Sequence, residues 1–179
     1  MKAASSEPRT PPKAEDKAPP PSQVEYSLAL ELLHERAHHA VFANRDLDNL
    51  DSESHLDELE QSIINLIEGY RESGDIPYHL DAGLLATDIL YEFTALGPIE
   101  HFLADDEVKE VYVNGFNRIY CRRGDNPLEL SGKTFSSSSA LDGVIEQLIR
   151  THSPERDFGD SSIRGRLDDG TSFHVVLSN

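Results

Sequence analysis

Cysteine occurs once, as Cys121, and tryptophan is absent. A single thiol excludes an internal disulfide framework and a cysteine-based zinc site. Its place beside Ile119 and Tyr120 points to a packed core thiol rather than a reactive one. No apolar run approaches the roughly 20 residues that cross a bilayer, and the N-terminus lacks the apolar segment of a secretory signal. The chain therefore reads as cytoplasmic, with no insertion into a membrane. Positive charge is scarce: 16 Lys and Arg stand against 33 Asp and Glu, for a formal net charge of -17. Phosphate contact needs clustered Lys and Arg, so a nucleic-acid partner is excluded. The only lysine cluster, Lys2, Lys13 and Lys17, has acids between its members. No G-x-x-x-x-G-K-[ST] run occurs, so nothing here cradles nucleotide phosphates, and the chain cannot bind and hydrolyse ATP by itself. No Ser-His-Asp, Cys-His or paired-carboxylate set falls at a meaningful spacing.

What is present divides into three parts. Residues 1–23 hold Pro8, Pro11, Pro12, Pro19, Pro20 and Pro21 among Ser, Lys and Glu without hydrophobic periodicity, the composition of a disordered tail. Residues 24–96 carry three helical patterns. Val24 to Asn44 repeats Leu30, Leu33, Ala37 and Val41, with Ser27 as a candidate cap. Ser54 to Ser73 lines up Leu56, Leu59, Ile63, Leu66, Ile67 and Tyr70 and stops at Gly74. Leu80 to Ala95 directs Leu84, Ile89 or Leu90, and Phe93 inward. The acidic link from Asp46 to Asp57 reads as a solvated loop and first helical turn, where carboxylates favour the helix dipole. After Gly97-Pro98 the period changes, giving residues 97–179 as a third part. Strands are expected at about 108–113, 117–123 and 128–135. A helix from about Ala140 to Thr151 is capped within Ser136 to Ser139, and a last hairpin turns at Asp169-Gly170. Strands around one helix without a βαβ repeat make the fold class α+β.

His34-Glu35-Arg36-Ala37-His38 matches H-E-x-x-H on a helix. Histidines at i and i+4 can share Zn²⁺ while the glutamate activates a metal-bound water, and Glu58 offers a third ligand downstream. Against this, Val41 and Asn44 stand where the extended zinc-protease motif needs Gly and His, and no sheet precedes the helix to build a cleft. The pair reads as two exposed or half-buried helical histidines, and no metal site is assigned.

The run Leu96-Gly97-Pro98-Ile99-Glu100-His101-Phe102-Leu103-Ala104-Asp105-Asp106-Glu107-Val108-Lys109-Glu110-Val111-Tyr112-Val113-Asn114-Gly115, followed by Arg118-Ile119-Tyr120-Cys121, resembles the entry to the N-terminal domain of the type II/IV secretion ATPases, above all their Tad/Flp-pilus branch. Further on, Gly165-Arg166-Leu167-Asp168-Asp169-Gly170-Thr171-Ser172-Phe173-His174-Val175-Val176 resembles that family's A-R-L-P-D-G-S-R-V-N-A-V hairpin, in the same order. The resemblance spans about residues 80 to 179. It implies a helical region followed by a PAS-like sheet domain, truncated at its end. It further implies a hexameric ring of copies, an inner-membrane platform protein as partner, and a place at the cytoplasmic face of that membrane. ATP and Mg²⁺ would belong to a following RecA-like domain, leaving this part subunit contact and docking.

In the family, arginines of this domain reach nucleotide phosphates, a task suited to a permanently charged, two-pronged guanidinium. Arg166 matches the hairpin's first arginine, whereas Ser172 replaces the second and Asp168 replaces a proline. Arg164 alternates with Arg166 on one strand face. With Arg122 and Arg123 these are the basic concentration of the folded part, read either as a ligand- or subunit-facing patch or as surface charge balancing Asp157, Asp160, Asp168 and Asp169. The second reading of the whole chain is a stand-alone adaptor, a degenerate copy without a motor that regulates the ring or its platform.

Overall fold

The computed structural model describes residues 21–43, 53–152 and 162–176. Within them the chain is α+β, with five α-helices and two small antiparallel sheets. Helix α1 spans Pro21–Ala37 and opens into a π turn, His38–Phe42. The last three residues of the expected tail are therefore its first turn, because proline suits a first helical position whose N–H would be unpaired anyway. Residues 1–20 lie outside the described residues, as does most of the Asp46–Asp57 link. Leu30, Leu33, Ala37 and Val41 are buried as their spacing requires. Ser27 is not the cap: its hydroxyl donates to the Gln23 carbonyl inside the helix, at 2.9 Å. The widened π turn brings consecutive residues, Val41 and Phe42, into the core, where Phe42 stacks on Phe93 with ring centroids 4.1 Å apart.

Helix α2, Glu53–Ser73, buries Leu59, Ile63 and Ile67, with Leu56, Leu66 and Tyr70 packed beside them. Its last turn closes when the amides of Asp75 and Ile76 both donate to the Tyr70 carbonyl. Helix α3, Ala82–Thr94, is capped by Asp81, whose carboxylate accepts from the Leu84 amide at 2.8 Å. That start sets the inward stripe at Leu85, Ala86, Ile89 and Leu90, with Phe93 packed at its end. Leu84, expected inside, falls beyond the edge of the stripe in the first turn and is 41% exposed. Helices α1 to α3 share one hydrophobic cluster, closed by Ile76 and Leu80 from the α2–α3 connection.

The chain breaks at a 3-10 turn, Gly97–Ile99, and runs through a four-residue helix α4, Glu100–Leu103, to the sheet. Gly97 is required there twice over. Its φ is +60°, and a Cβ would lie 2.7 Å from Cε1 of Phe135. Strands β1 (Val108–Val113), β2 (Ile119–Arg123) and β3 (Glu129–Leu130) form an antiparallel sheet in that order, with Val111 opposite Cys121 and Tyr120 opposite Leu130. A bulge between Val108 and Glu110 puts Lys109 outside the regular pairing of the edge strand. β3 is much shorter than its apolar pattern suggests. The chain leaves the sheet at Ser131 so that Phe135, fully buried, can pack with Phe102, Ile119, Cys121 and Val144, its amide donating to the Phe116 carbonyl at 2.8 Å.

Helix α5, Ser138–His152, is capped by Ser137, whose hydroxyl accepts from the Ala140 amide at 3.1 Å. It buries Ala140, Val144 and Leu148. The final hairpin, β4 (Ser162–Arg166) and β5 (Ser172–Val176), is a separate two-stranded sheet turning at Asp169-Gly170. Among the described residues no helix is long and apolar enough to cross a membrane.

Candidate functional site

Two polar arrangements stand out, and sequence reasoning located one of them. The other is a buried acid pair on α3. Asp88 and Glu92 lie one helical turn apart, 3% and 7% exposed, on the flank of the most apolar helix. Burying two carboxylates is costly unless donors surround them, and here donors converge from three other segments. Asp88 accepts from the Tyr26 hydroxyl of α1 at 2.6 Å, from Lys133 Nζ at 3.2 Å to each oxygen, and from Nε2 of His101 in α4. Glu92 accepts from His34 Nδ1 of α1 at 2.7 Å, and from both the amide and the hydroxyl of Ser136 at 2.6 Å. Burial, with the Asp88 carboxylate beside it, holds the Tyr26 hydroxyl far above the ordinary tyrosine range, so it stays an O–H donor. Lys133 and Ser136 belong to the loop that leads from β3 into α5. The acid pair therefore ties the helical cluster to the sheet cluster, next to the α5 cap.

This arrangement also places the H-E-x-x-H residues. His34 turns its Nδ1 to Glu92 and stacks on Phe93, with centroids 4.6 Å apart. His38 is exposed at the start of the π turn, edge-on to His39 at 5.2 Å. His34 is thus more than an incidental surface histidine, and its partner is a carboxylate across the core rather than His38. Among the described residues no group of three or more His, Cys, Asp or Glu side chains is placed to hold a metal ion. Asp88 and Glu92 were missed because their partners are 13 to 62 residues away in the chain. The usable signal was two acids at i and i+4 interrupting Leu85, Ile89 and Leu90.

The expected arginine concentration divides in two. Arg122 pairs with Glu110 across β1 and β2, and Arg123 pairs with Asp105 at 3.1 Å and Glu129 at 3.0 Å. Donation from the Glu107 amide, then from Arg123, holds the Asp105 carboxyl below the usual carboxylate range. These two arginines brace the three-stranded sheet. Arg164 and Arg166 stand on the separate hairpin, both exposed on one face. Register puts His174 opposite Arg164 and Ser172 opposite Arg166. The other face carries Ile163, buried, with Gly165, Phe173 and Val175 half-buried. No ion pair to Arg164 or Arg166 forms among the described residues, whereas His174 Nε2 is hydrogen-bonded to the Ser162 hydroxyl at 2.7 Å.

Chemically, the acid pair is engaged in hydrogen bonds that join two parts of one molecule, with the Ser136 hydroxyl and the Lys133 amine among its donors. The hairpin face sets Arg164 and Arg166 beside His174, which is hydrogen-bonded to the Ser162 hydroxyl. Comparison with protein-family models and with curated proteins returned no match.

Proposed function

We propose that this chain is the N-terminal oligomerisation and docking region of a hexameric secretion ATPase that powers a Tad-like type II/IV secretion or pilus machine. The observation that carries the reading is the ordered pair of segments at 96–121 and 165–176, supported by the way their special residues are used. Gly97 takes the positive φ that the break demands, Asn114 closes the turn between β1 and β2 by donating its backbone N–H to the Arg118 carbonyl at 2.9 Å, and Asp169-Gly170 turns the hairpin. On this reading residues 97–179 are the family's PAS-like domain and residues 24–96 the helical region before it. The chain contributes no chemistry of its own. ATP and Mg²⁺ are bound by the RecA-like domain, and copies of this part form a ring that moves against an inner-membrane platform protein at the cytoplasmic face. Arg164 and Arg166, exposed on the hairpin, are available to a neighbouring domain, its bound nucleotide included.

One observation favours the adaptor reading. Ser172 lies directly across from Arg166 where the family carries its second hairpin arginine, which leaves a phosphate clamp one arm short. In that case the chain binds the ring or platform and regulates it without a motor. Binding measurements decide the class: the 179-residue chain is titrated calorimetrically with the cytoplasmic segments of the platform protein and, separately, with the RecA-like motor domain of a Tad-type system from the same cell. Binding to the platform segments with no ATP turnover by the chain alone is expected. Binding to neither protein overturns the proposal.

A further inference from the structure

We propose that His34 and His38 together bind one divalent transition-metal ion of the Zn²⁺ class at the end of α1, with the buried Glu92 carboxylate orienting His34 for the task. His34 is not held like a surface histidine. Its Nδ1 lies 2.7 Å from Oε2 of Glu92, whose side chain is 2% exposed, and its ring lies flat on Phe93, 14° from parallel. Glu92 already takes the Ser136 amide on one oxygen and the Ser136 hydroxyl on the other, so it stands as an acceptor and His34 Nδ1 donates to it. The neutral ring is thereby fixed in the tautomer with its lone pair on Nε2, and Nε2 has no hydrogen-bond partner among the described residues. A carboxylate on the far nitrogen is the arrangement that orients histidines for metals.

His38 supplies the second nitrogen. It follows His34 by four residues, where α1 gives way to the π turn, and so stands one helical turn further along the same side. Both rings border Phe93, with centroids at 4.6 Å for His34 and 6.1 Å for His38. His38 is exposed and forms no hydrogen bond among the described residues, so its ring can turn toward an ion held at His34 Nε2. Glu31 and Glu35, exposed on the same stripe, favour a cation there without being needed as ligands.

The donor set selects the ion. Imidazole nitrogens suit zinc, copper and nickel, whereas magnesium and calcium take oxygen ligands. Water completes the coordination, so the ion exchanges with solvent and clips the last α turn to the first residue of the π turn. Because the ligating rings must be neutral, acid weakens binding. The H-E-x-x-H spacing thus serves to hold an ion, and its chemistry stops there.

The test is calorimetric titration of the 179-residue chain with ZnCl₂ at mildly alkaline pH in a non-chelating buffer. One saturable site per chain is expected. His38→Ala should lose it with unchanged circular dichroism, and His39→Ala should bind as wild type does. Glu92→Gln keeps both histidines but frees His34 to take its other tautomer, and should bind about 10–100-fold more weakly. Imidazole proton–nitrogen NMR of the wild-type chain reads the site without any variant: His34 should carry its proton on Nδ1, and Zn²⁺ should shift His34 Nε2 and His38 while the remaining histidines stay. Absence of saturable binding overturns the proposal. Equal binding by His38→Ala means an adventitious ion only and overturns it too, as does loss in His39→Ala with the His34 signals unmoved. A folded Glu92→Gln variant that binds as tightly as wild type overturns the part assigned to Glu92.

Discussion

Replacing Glu92 by leucine isolates the joint between the helical cluster and the sheet cluster. The side chain is nearly the same size, so packing is largely kept, but three donors lose their acceptor. The Ser136 amide is buried and cannot turn elsewhere. An orphaned buried donor costs about 1–3 kcal/mol. The Ser136 hydroxyl can rotate, and the His34 side chain, 22% exposed, can reach water, so together they add about 1 kcal/mol rather than a full penalty each. Removing the carboxylate also removes its own desolvation cost, which offsets part of the loss. The net is a destabilisation of about 1–3 kcal/mol, a sizeable share of the roughly 5–15 kcal/mol that holds a domain folded. Glu92→Gln is the control. Its carbonyl still accepts from the Ser136 amide, and His34 can present its other tautomer to the amide nitrogen, so it should cost about 1 kcal/mol. Urea unfolding at neutral pH measures both, with an unchanged m value showing that the same surface unfolds. A leucine variant within about 0.5 kcal/mol of wild type would mean that the joint contributes little to stability and that the two clusters are held by apolar contact alone.

His34→Ala should cost about 1–3 kcal/mol, because the ring bonds a buried carboxylate and stacks on Phe93, whereas His38→Ala at its exposed site should stay within about 0.5 kcal/mol; thermal unfolding of the two single variants separates them. Gly97→Ala combines a positive φ with a Cβ pressed against the Phe135 ring and should destabilise by about 2–4 kcal/mol without lengthening α3, read as a lowered midpoint with the helical circular dichroism signal unchanged. Asp105 has a depressed pKa, so its stabilising contribution is present above the ordinary carboxylate pKa of about 3.9 and is lost as pH falls through the lower folded value. Asp105→Asn should accordingly lower the melting temperature at neutral pH and flatten its fall in acid, and melts across that range show whether it does.

The helices were legible because their burial is set by local spacing. Leu30, Leu33, Ala37 and Val41, or Leu59, Ile63 and Ile67, face one way whatever they pack against. Cap positions were legible only to within a residue or two: Ser137 was one of four serines in a row, and the choice among them was made by where the Phe135 side chain had to be buried. The length of β3 was overread for the same reason, since the apolar pattern past Leu130 serves a ring that dives into the core rather than a strand that continues. Leu84 was misplaced because the Asp81 cap, not hydrophobicity, sets which residue opens the inward stripe. Asp88 and Glu92 were invisible on their own terms. A buried acid is stable only through its donors, and Tyr26, His34, Lys133 and Ser136 come together only after the chain has closed on itself. Arg164 and Arg166 were placed on one exposed face as their alternation required, but Arg122 and Arg123 dropped out of the patch because Glu110 on the neighbouring strand and Asp105 just before it lay within reach.

The break at Gly97-Pro98 has the sequence of a hinge, and its surroundings argue otherwise. A hinge needs backbone that can change conformation without disturbing packed atoms. Here Gly97 and Pro98 are both buried, the Phe135 ring from the sheet cluster fills the space beside Gly97, and the last turn of α3 is bonded through Glu92 to the residue just before the α5 cap. Moving the helical cluster relative to the sheet would expose two carboxylates' worth of donors and empty the Phe135 site together. The two parts therefore travel as one body.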